Sequence, residues 1–213
     1  MQKKYDVIVI GAGITGAGIA RDLSMRGATV LLVDRSDIAT GATGRSHGLL
    51  HSGARYAVKD PESARECAQE NLILKRIASH IIEDTGGFFV STLEDPNDYV
   101  DKFVKSCKNT GVYIEENTLE EIRKAEPNLS RSLKAGFYVN DGSVDPFKLT
   151  LLNVLDAIDM GATVKTYNEV IGFLMQEESV IGVKVHDILN NMINEYYADI
   201  IVNATGAWAG KIG

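Results

Sequence analysis

The stretch YDVIVIGAGITGAGIARDLSMRGATVLLVDR, residues 5–35, constrains this chain more than any other. Tyr5–Ile10 is a short apolar run rich in β-branched residues, as a buried strand requires. Gly11, Gly13 and Gly16 follow in the spacing G-x-G-x-x-G. Ile14–Arg26 has helical periodicity, with Ile19 and Leu23 on one face and Gly27 as the stop. Thr29–Val33 is apolar again and ends at Asp34. Each part has a physical task. Gly11 permits the tight turn, Gly13 lets the backbone approach a pyrophosphate, and Gly16 lets the helix lie close to the strand. The free N–H groups and dipole of the helix start favour phosphate, and Ile14 and Thr15 open that helix. Asp34, with Arg35 beside it, stands where an acid accepts hydrogen bonds from an adenosine ribose. The complete strand–turn–helix–strand–acid series implies a dinucleotide site.

Bulk properties narrow the rest. A net charge of −7 and a pI near 5.1 argue against a nucleic-acid surface. No stretch approaches the roughly 18 apolar residues of a membrane span, and the first apolar run carries the glycine motif, so it reads as fold and not as a leader. Cys67 and Cys107 lack C-x-x-C spacing and sit on apolar faces of predicted helices, as buried free thiols of a reducing cytoplasm would. The expected location is therefore cytoplasmic, and no cluster suggests a metal. Helices are predicted over about 62–82, 96–108 and 145–160, with a Thr118–Glu121 capping box before a short fourth. Phe88–Ser91 and Ala135–Val139 read as strands. Thr163–Tyr167, Val170–Gln176, Val180–His186 and Ile193–Tyr197 read as an antiparallel meander, and Ile200–Asn203 as a separate return strand into Ala204-Thr205-Gly206.

The cofactor class follows from what comes after Asp34. A nicotinamide enzyme would continue with another crossover helix. This chain instead has ATGATGRSHGLLHSGAR at 39–55, a small, polar run that can pass beneath a large flat ring. Thr40, Thr43 and Ser46 supply hydroxyls, and Gly44 and Gly48 allow close backbone approach. The NATGAW segment offers a second close approach. Together they favour FAD. Arg45, His47, His51 and Arg55 concentrate cations in an otherwise acidic chain, as a dianionic phosphate substrate requires.

These runs carry a resemblance. VIGAGITGAGIARDLSMRG, DIATGATGRSHGLLHSGARYAV, ESARECAQENLILKRIA, DGSVDPFKLT and VNATGAWAG resemble the FAD-dependent glycerol-3-phosphate dehydrogenases, of the same superfamily as D-amino-acid oxidase. The ATGATGRSHGLLHSGARY run is most similar to the catalytic A chain of the anaerobic branch. The resemblance implies oxidation of sn-glycerol 3-phosphate to dihydroxyacetone phosphate. Electrons would pass to a quinone through partner subunits of a membrane-associated complex at the inner face of the cell membrane. It implies an α/β fold: a doubly wound FAD-binding domain with a helical insertion and the start of an antiparallel substrate sheet. Residues 1–80 and 145–213 would form the FAD domain and 81–144 part of a substrate or cap domain, with the C-terminal half of the family fold lying beyond residue 213.

By the H-x-G-x-R-Y match, the resemblance puts Arg55 and Tyr56 at the substrate, with Tyr56 hydrogen-bonding a hydroxyl or packing. His51 is the motif histidine with an acid/base pKa range. Arg45, Ser46, His47, Gly48 and Leu50 belong to the flavin side, His47 dividing between contact and structure. Val170 would meet the adenine through its backbone, and Ala204 and Gly206 would line the FAD. Trp208 is either anchor or ligand, and Asp145 reads as a helix cap. Two other classes fit the same residues. A flavin oxidase of amino acids or 2-hydroxy acids would also use Arg55, for a carboxylate; a non-catalytic FAD-binding fragment would need only the first motif.

Overall fold

The structure, a computed structural model, describes residues 4–212. The chain divides into two compact units, residues 1–47 with 146–213 and residues 48–145.

In the first unit, β1 (Lys4–Ile10), α1 (Ile14–Met25) and β2 (Val30–Val33) form the expected crossover. The chain returns through α5 (Pro146–Asp159) and β9 (Thr163–Lys165), then β10 (Asn168–Gln176), β11 (Ser179–Asp187) and β12 (Met192–Asn203). The six strands make one sheet in the order β10-β11-β12-β1-β2-β9. Alternation along β1 sorts its side chains by face. Val7 and Val9 pack on Ala17 and Ala20 of α1 and on Val154 and Ala157 of α5. Ile8 and Ile10 face the other way, against Val183 and Val185 of β11, in a cluster that also takes in Tyr5, at the start of β1, and Ala198 of β12.

Two strand readings are corrected. Thr163–Lys165 leaves the meander and pairs in parallel with β2, Leu31 opposite Thr163. Ile193–Tyr197 and Ile200–Asn203 are one strand, because Ala198 between them pairs with Tyr5 of β1 and is buried in the same cluster, which carries the extended backbone past Asp199. The first half of β12 pairs antiparallel with β11 and its second half in parallel with β1, so one strand joins the meander to the nucleotide unit.

The second unit holds β3 (Leu49–Leu50), α2 (Pro61–Ile77), β4 (Ile82–Glu83), β5 (Gly87–Thr92), α3 (Tyr99–Thr110), β6 (Ile114–Glu116), α4 (Leu119–Ala125), β7 (Leu133–Val139) and β8 (Gly142–Val144). Strands β5-β7-β6 form an antiparallel sheet, and β3-β8-β4 a smaller one. Asp60 caps α2 by accepting the Ser63 N–H, with Pro61 in the first turn. The Thr118–Glu121 capping box forms on α4 as its residues predict. Helix α2 stops at Ile77, short of the expected residue 82, because Ile82 pairs with Val144 of β8. The sequence-based boundary at residue 80 also differs from the division after His47: Ala54, Ala57 and Ala64 pack with Phe103, Cys107 and Phe137. Cys107 is fully buried and free, and burial pushes its thiol up to about 11. Cys67 is half-buried and free.

Candidate cofactor and substrate sites

The parallel strands β12, β1 and β2 end together, and a cleft of about 480 Å³ opens at their carboxyl ends, where open α/β sheets bind ligands. Its floor is the turn from Gly11 to Thr15. Gly11 has φ +104°, and a Cβ there would lie 2.6 Å from the Ala204 carbonyl oxygen. A Cβ on Gly16 would lie 1.8 Å from the Gly11 carbonyl oxygen. Both glycines are therefore demanded by packing. Gly13 differs: its Cβ would meet only the Thr43 hydroxyl, at 3.2 Å, so it faces the cleft.

Side chains fix the turn. Asp34 accepts the Ala12 N–H at 2.7 Å through Oδ2 and the Ser36 N–H at 2.8 Å through Oδ1. Thr43 Oγ1 accepts the Ile14 N–H at 3.1 Å. The remaining lone pairs of Asp34 suit a ribose diol, and the helix start suits a phosphate. Arg35 lies over the Trp208 ring at 5.3 Å, and Trp208 comes close to Gly41, where a Cβ would stand 3.5 Å from the ring. Arg45 and Lys211 add positive charge to the rim, although Arg45 bends back to donate to the Thr40 carbonyl. Asn168, Glu169 and Val170 close the far end.

Of the residues singled out in the sequence, Gly11, Gly13, Ile14, Thr15, Asp34, Arg35, Thr40, Thr43, Arg45, Val170, Ala204 and Gly206 all line this cleft. Gly16 lies behind it as packing. Gly44 is pressed against the Ala39 carbonyl and the Phe147 ring. Ser46 and His47 are exposed and lie outside the lining. Sequence reasoning missed Asn168, Thr205 and Lys211; Thr205 lies within NATGAW and Lys211 just after it, so the small residues of that segment were the available signal for both.

The other candidates belong to the second unit. The Gly48 carbonyl accepts the Val144 N–H, and the Leu50 carbonyl accepts from Asn71. His51 is half-buried, with its ring edge-on to Tyr56 at 6.2 Å. Arg55 is exposed and forms no ion pair among the described residues, so its guanidinium is available to an anion.

The model of the FAD dependent oxidoreductases, DAO, matches residues 6–213. The chain belongs to that family. The cleft passes the test the family sets: a glycine cradle that side chains would fill, an acid at the ribose position, and cations at the rim. The A chain of the anaerobic glycerol-3-phosphate dehydrogenase of Escherichia coli K12, named as one of that enzyme's subunits, is 49% identical over 207 residues, covering 97% of this chain and 38% of that protein. The glycerol-3-phosphate dehydrogenase of Bacillus halodurans, solved complexed with FAD, superimposes with a TM-score of 0.74 at 28% identity, over 98% of this chain and 36% of the other. The L-proline dehydrogenase of P. horikoshii superimposes with a TM-score of 0.86 at 27% identity, over 100% of this chain and 55% of the other. The chain thus spans 38% of the length of the anaerobic dehydrogenase chains it matches.

Proposed function

We propose that the chain is the FAD-binding portion of a glycerol-3-phosphate dehydrogenase of the anaerobic type. FAD, when bound, would supply the two-electron acceptor for oxidation of C2 of sn-glycerol 3-phosphate to the ketone of dihydroxyacetone phosphate. The residues of this chain bind and orient. Gly13 and the start of α1 receive the pyrophosphate, and Asp34 holds the ribose. Val170 meets the adenine through its backbone. In this reading Arg55 grips the substrate phosphate through its planar fork, Tyr56 hydrogen-bonds a substrate hydroxyl or packs, and His51 takes the hydroxyl proton. The observation that carries this reading is Arg55: an exposed guanidinium without an ion pair among the described residues, in the same short run as His51, within a chain that matches proteins named for this substrate.

The names of those relatives as subunits support partner chains; our reading has those partners pass electrons on to a quinone at a membrane. The reading has the chain cytoplasmic and held at the inner face through its partners; no helix among the described residues is long and apolar enough to cross a membrane. The fold likeness to L-proline dehydrogenase supports a second reading, an amino-acid substrate whose carboxylate takes Arg55. Turnover separates the two in a protein extended over the length of its relatives. Dye reduction with glycerol 3-phosphate and none with amino acids supports the first reading; the reverse replaces it.

A further inference from the structure

The second unit spends a buried carboxylate on one backbone position. Asp141 is 8% exposed and Ser52 3%. Asp141 Oδ1 accepts both the Ser52 N–H and the Ser52 hydroxyl, each at 2.7 Å. The adjoining residues are held as well. Asn71, buried on α2, donates to the Leu50 carbonyl at 3.2 Å. Gly53 has φ +94°, and its Cβ would stand 2.3 Å from the Ala64 carbonyl oxygen, so the chain is pressed onto α2. Asp141 is itself anchored: its carbonyl accepts from the Gly86 N–H at 3.1 Å and the Lys75 ammonium at 3.3 Å, and Lys75 also pairs with Asp84. The turn that follows is set from this point, the Tyr56 N–H donating to the Gly53 carbonyl at 3.0 Å and the Ala57 N–H to the Ala54 carbonyl at 3.3 Å.

Burying a carboxylate is costly unless it is hydrogen-bonded, and here the two short bonds to Oδ1 converge on a single residue between His51 and Arg55. We propose that Asp141 is a positioning residue: by clamping Ser52 it fixes the turn that presents His51, Arg55 and Tyr56 to the substrate. The inference rests on the reading of that segment as the substrate contact.

The test uses the holoenzyme extended over the length of its relatives, with Asp141→Ala, Asp141→Asn, Ser52→Ala and Arg55→Ala compared for FAD content, kcat and the KM of glycerol 3-phosphate. Asp141→Ala should raise KM by about tenfold or more with FAD content near normal, since two charge-assisted bonds are lost. Asp141→Asn keeps an acceptor oxygen for both donors and should restore most of the affinity. A purely structural residue would instead lower FAD content and active fraction while leaving KM unchanged. An unchanged KM in Asp141→Ala, or an Asp141→Asn variant as impaired as the alanine, overturns the proposal. If Asp141→Ala fails to fold, Ser52→Ala decides: a KM raised about threefold supports the clamp, and an unchanged one overturns it. Arg55→Ala separates the two levels. If it too leaves KM unchanged, the substrate assignment falls and takes the proposal with it; if it raises KM while Asp141→Ala and Ser52→Ala do not, only the clamp falls.

Discussion

Two glycines of α1 provide a sharp test of the claim that the first motif is dictated by packing. Gly16 and Gly18 lie on the same helix, two residues apart. Alanine is intrinsically favoured over glycine in a helix by roughly 0.5–1 kcal/mol, so propensity alone predicts that both Gly→Ala changes stabilise. Contacts separate them. A Cβ on Gly18 meets nothing within 4 Å. A Cβ on Gly16 stands 1.8 Å from the Gly11 carbonyl oxygen, where about 3.0 Å is the closest approach real Cβ atoms make, and 3.3 Å from the Ala204 Cβ. The atom in the way is backbone, held in turn by the Gly11 N–H bond to the Val33 carbonyl, so it cannot swing aside. Overpacking of this kind costs about 3 kcal/mol, which outweighs the propensity gain. Gly16→Ala should therefore lose about 2 kcal/mol or more, and Gly18→Ala should gain about 0.5–1 kcal/mol. Denaturant titration followed by the fluorescence of Trp208, the chain's one tryptophan, measures both. Midpoints that move in the same direction for the two variants would refute the packing argument.

Further outcomes follow from other residues. Arg55→Lys, which keeps the charge but loses the fork, should cost roughly 1.5–3 kcal/mol in kcat/KM for glycerol 3-phosphate, with FAD content near normal, in a turnover assay of the extended protein; loss of FAD without a substrate defect would make it a cofactor ligand. At pH 8 Cys67 should react with a thiol reagent more slowly than a free thiol, because burial and Glu66 raise its pKa, and Cys107 only after denaturation; rapid labelling of both would contradict the burial. Asp6, held below its usual 3.8 by the Thr29 N–H and hydroxyl, and Asp60, held down by Ser63, stay ionised in the fold after the unfolded chain has begun to protonate. Their contribution is thus complete above about pH 4 and lost as pH falls through their folded values, so the unfolding midpoint should decline on acidification below pH 4, and a flat profile would count against these bonds.

What the sequence revealed and what it concealed have separate physical causes. The strand, turn and helix of residues 5–33 were readable because each signal is local: β-branched run, glycine spacing, helical period and stop. The cap at Thr118 was readable for the same reason. The short strands β3, β4, β6 and β8 were not, since two or three residues carry no period and form only because a partner strand is present. The merger of two predicted strands into β12 depends on β1 and β11 pairing with opposite halves of it. In the site, residues near the glycines were found, whereas Asn168 and Lys211 reach the cleft through the sheet's register and the chain after β12. Asp141 opens the DGSVDPFKLT run, but nothing local ties it to the distant Ser52, because that bond exists only once β3 and β8 have paired.

The central claim is that the cleft at the ends of β12, β1 and β2 takes the pyrophosphate of FAD on the Gly13 turn. Titration of the chain with FAD and with NADP, in the wild type and in Gly13→Val, tests it most directly. The account predicts that FAD binds at least about tenfold tighter than NADP, whose 2′-phosphate Asp34 repels. It also predicts that Gly13→Val loses FAD binding, since its side chain enters the cleft beside Thr43, while the far-ultraviolet circular dichroism stays that of the folded chain. NADP binding equal to or tighter than FAD, or a Gly13→Val variant with undiminished FAD affinity, would contradict it.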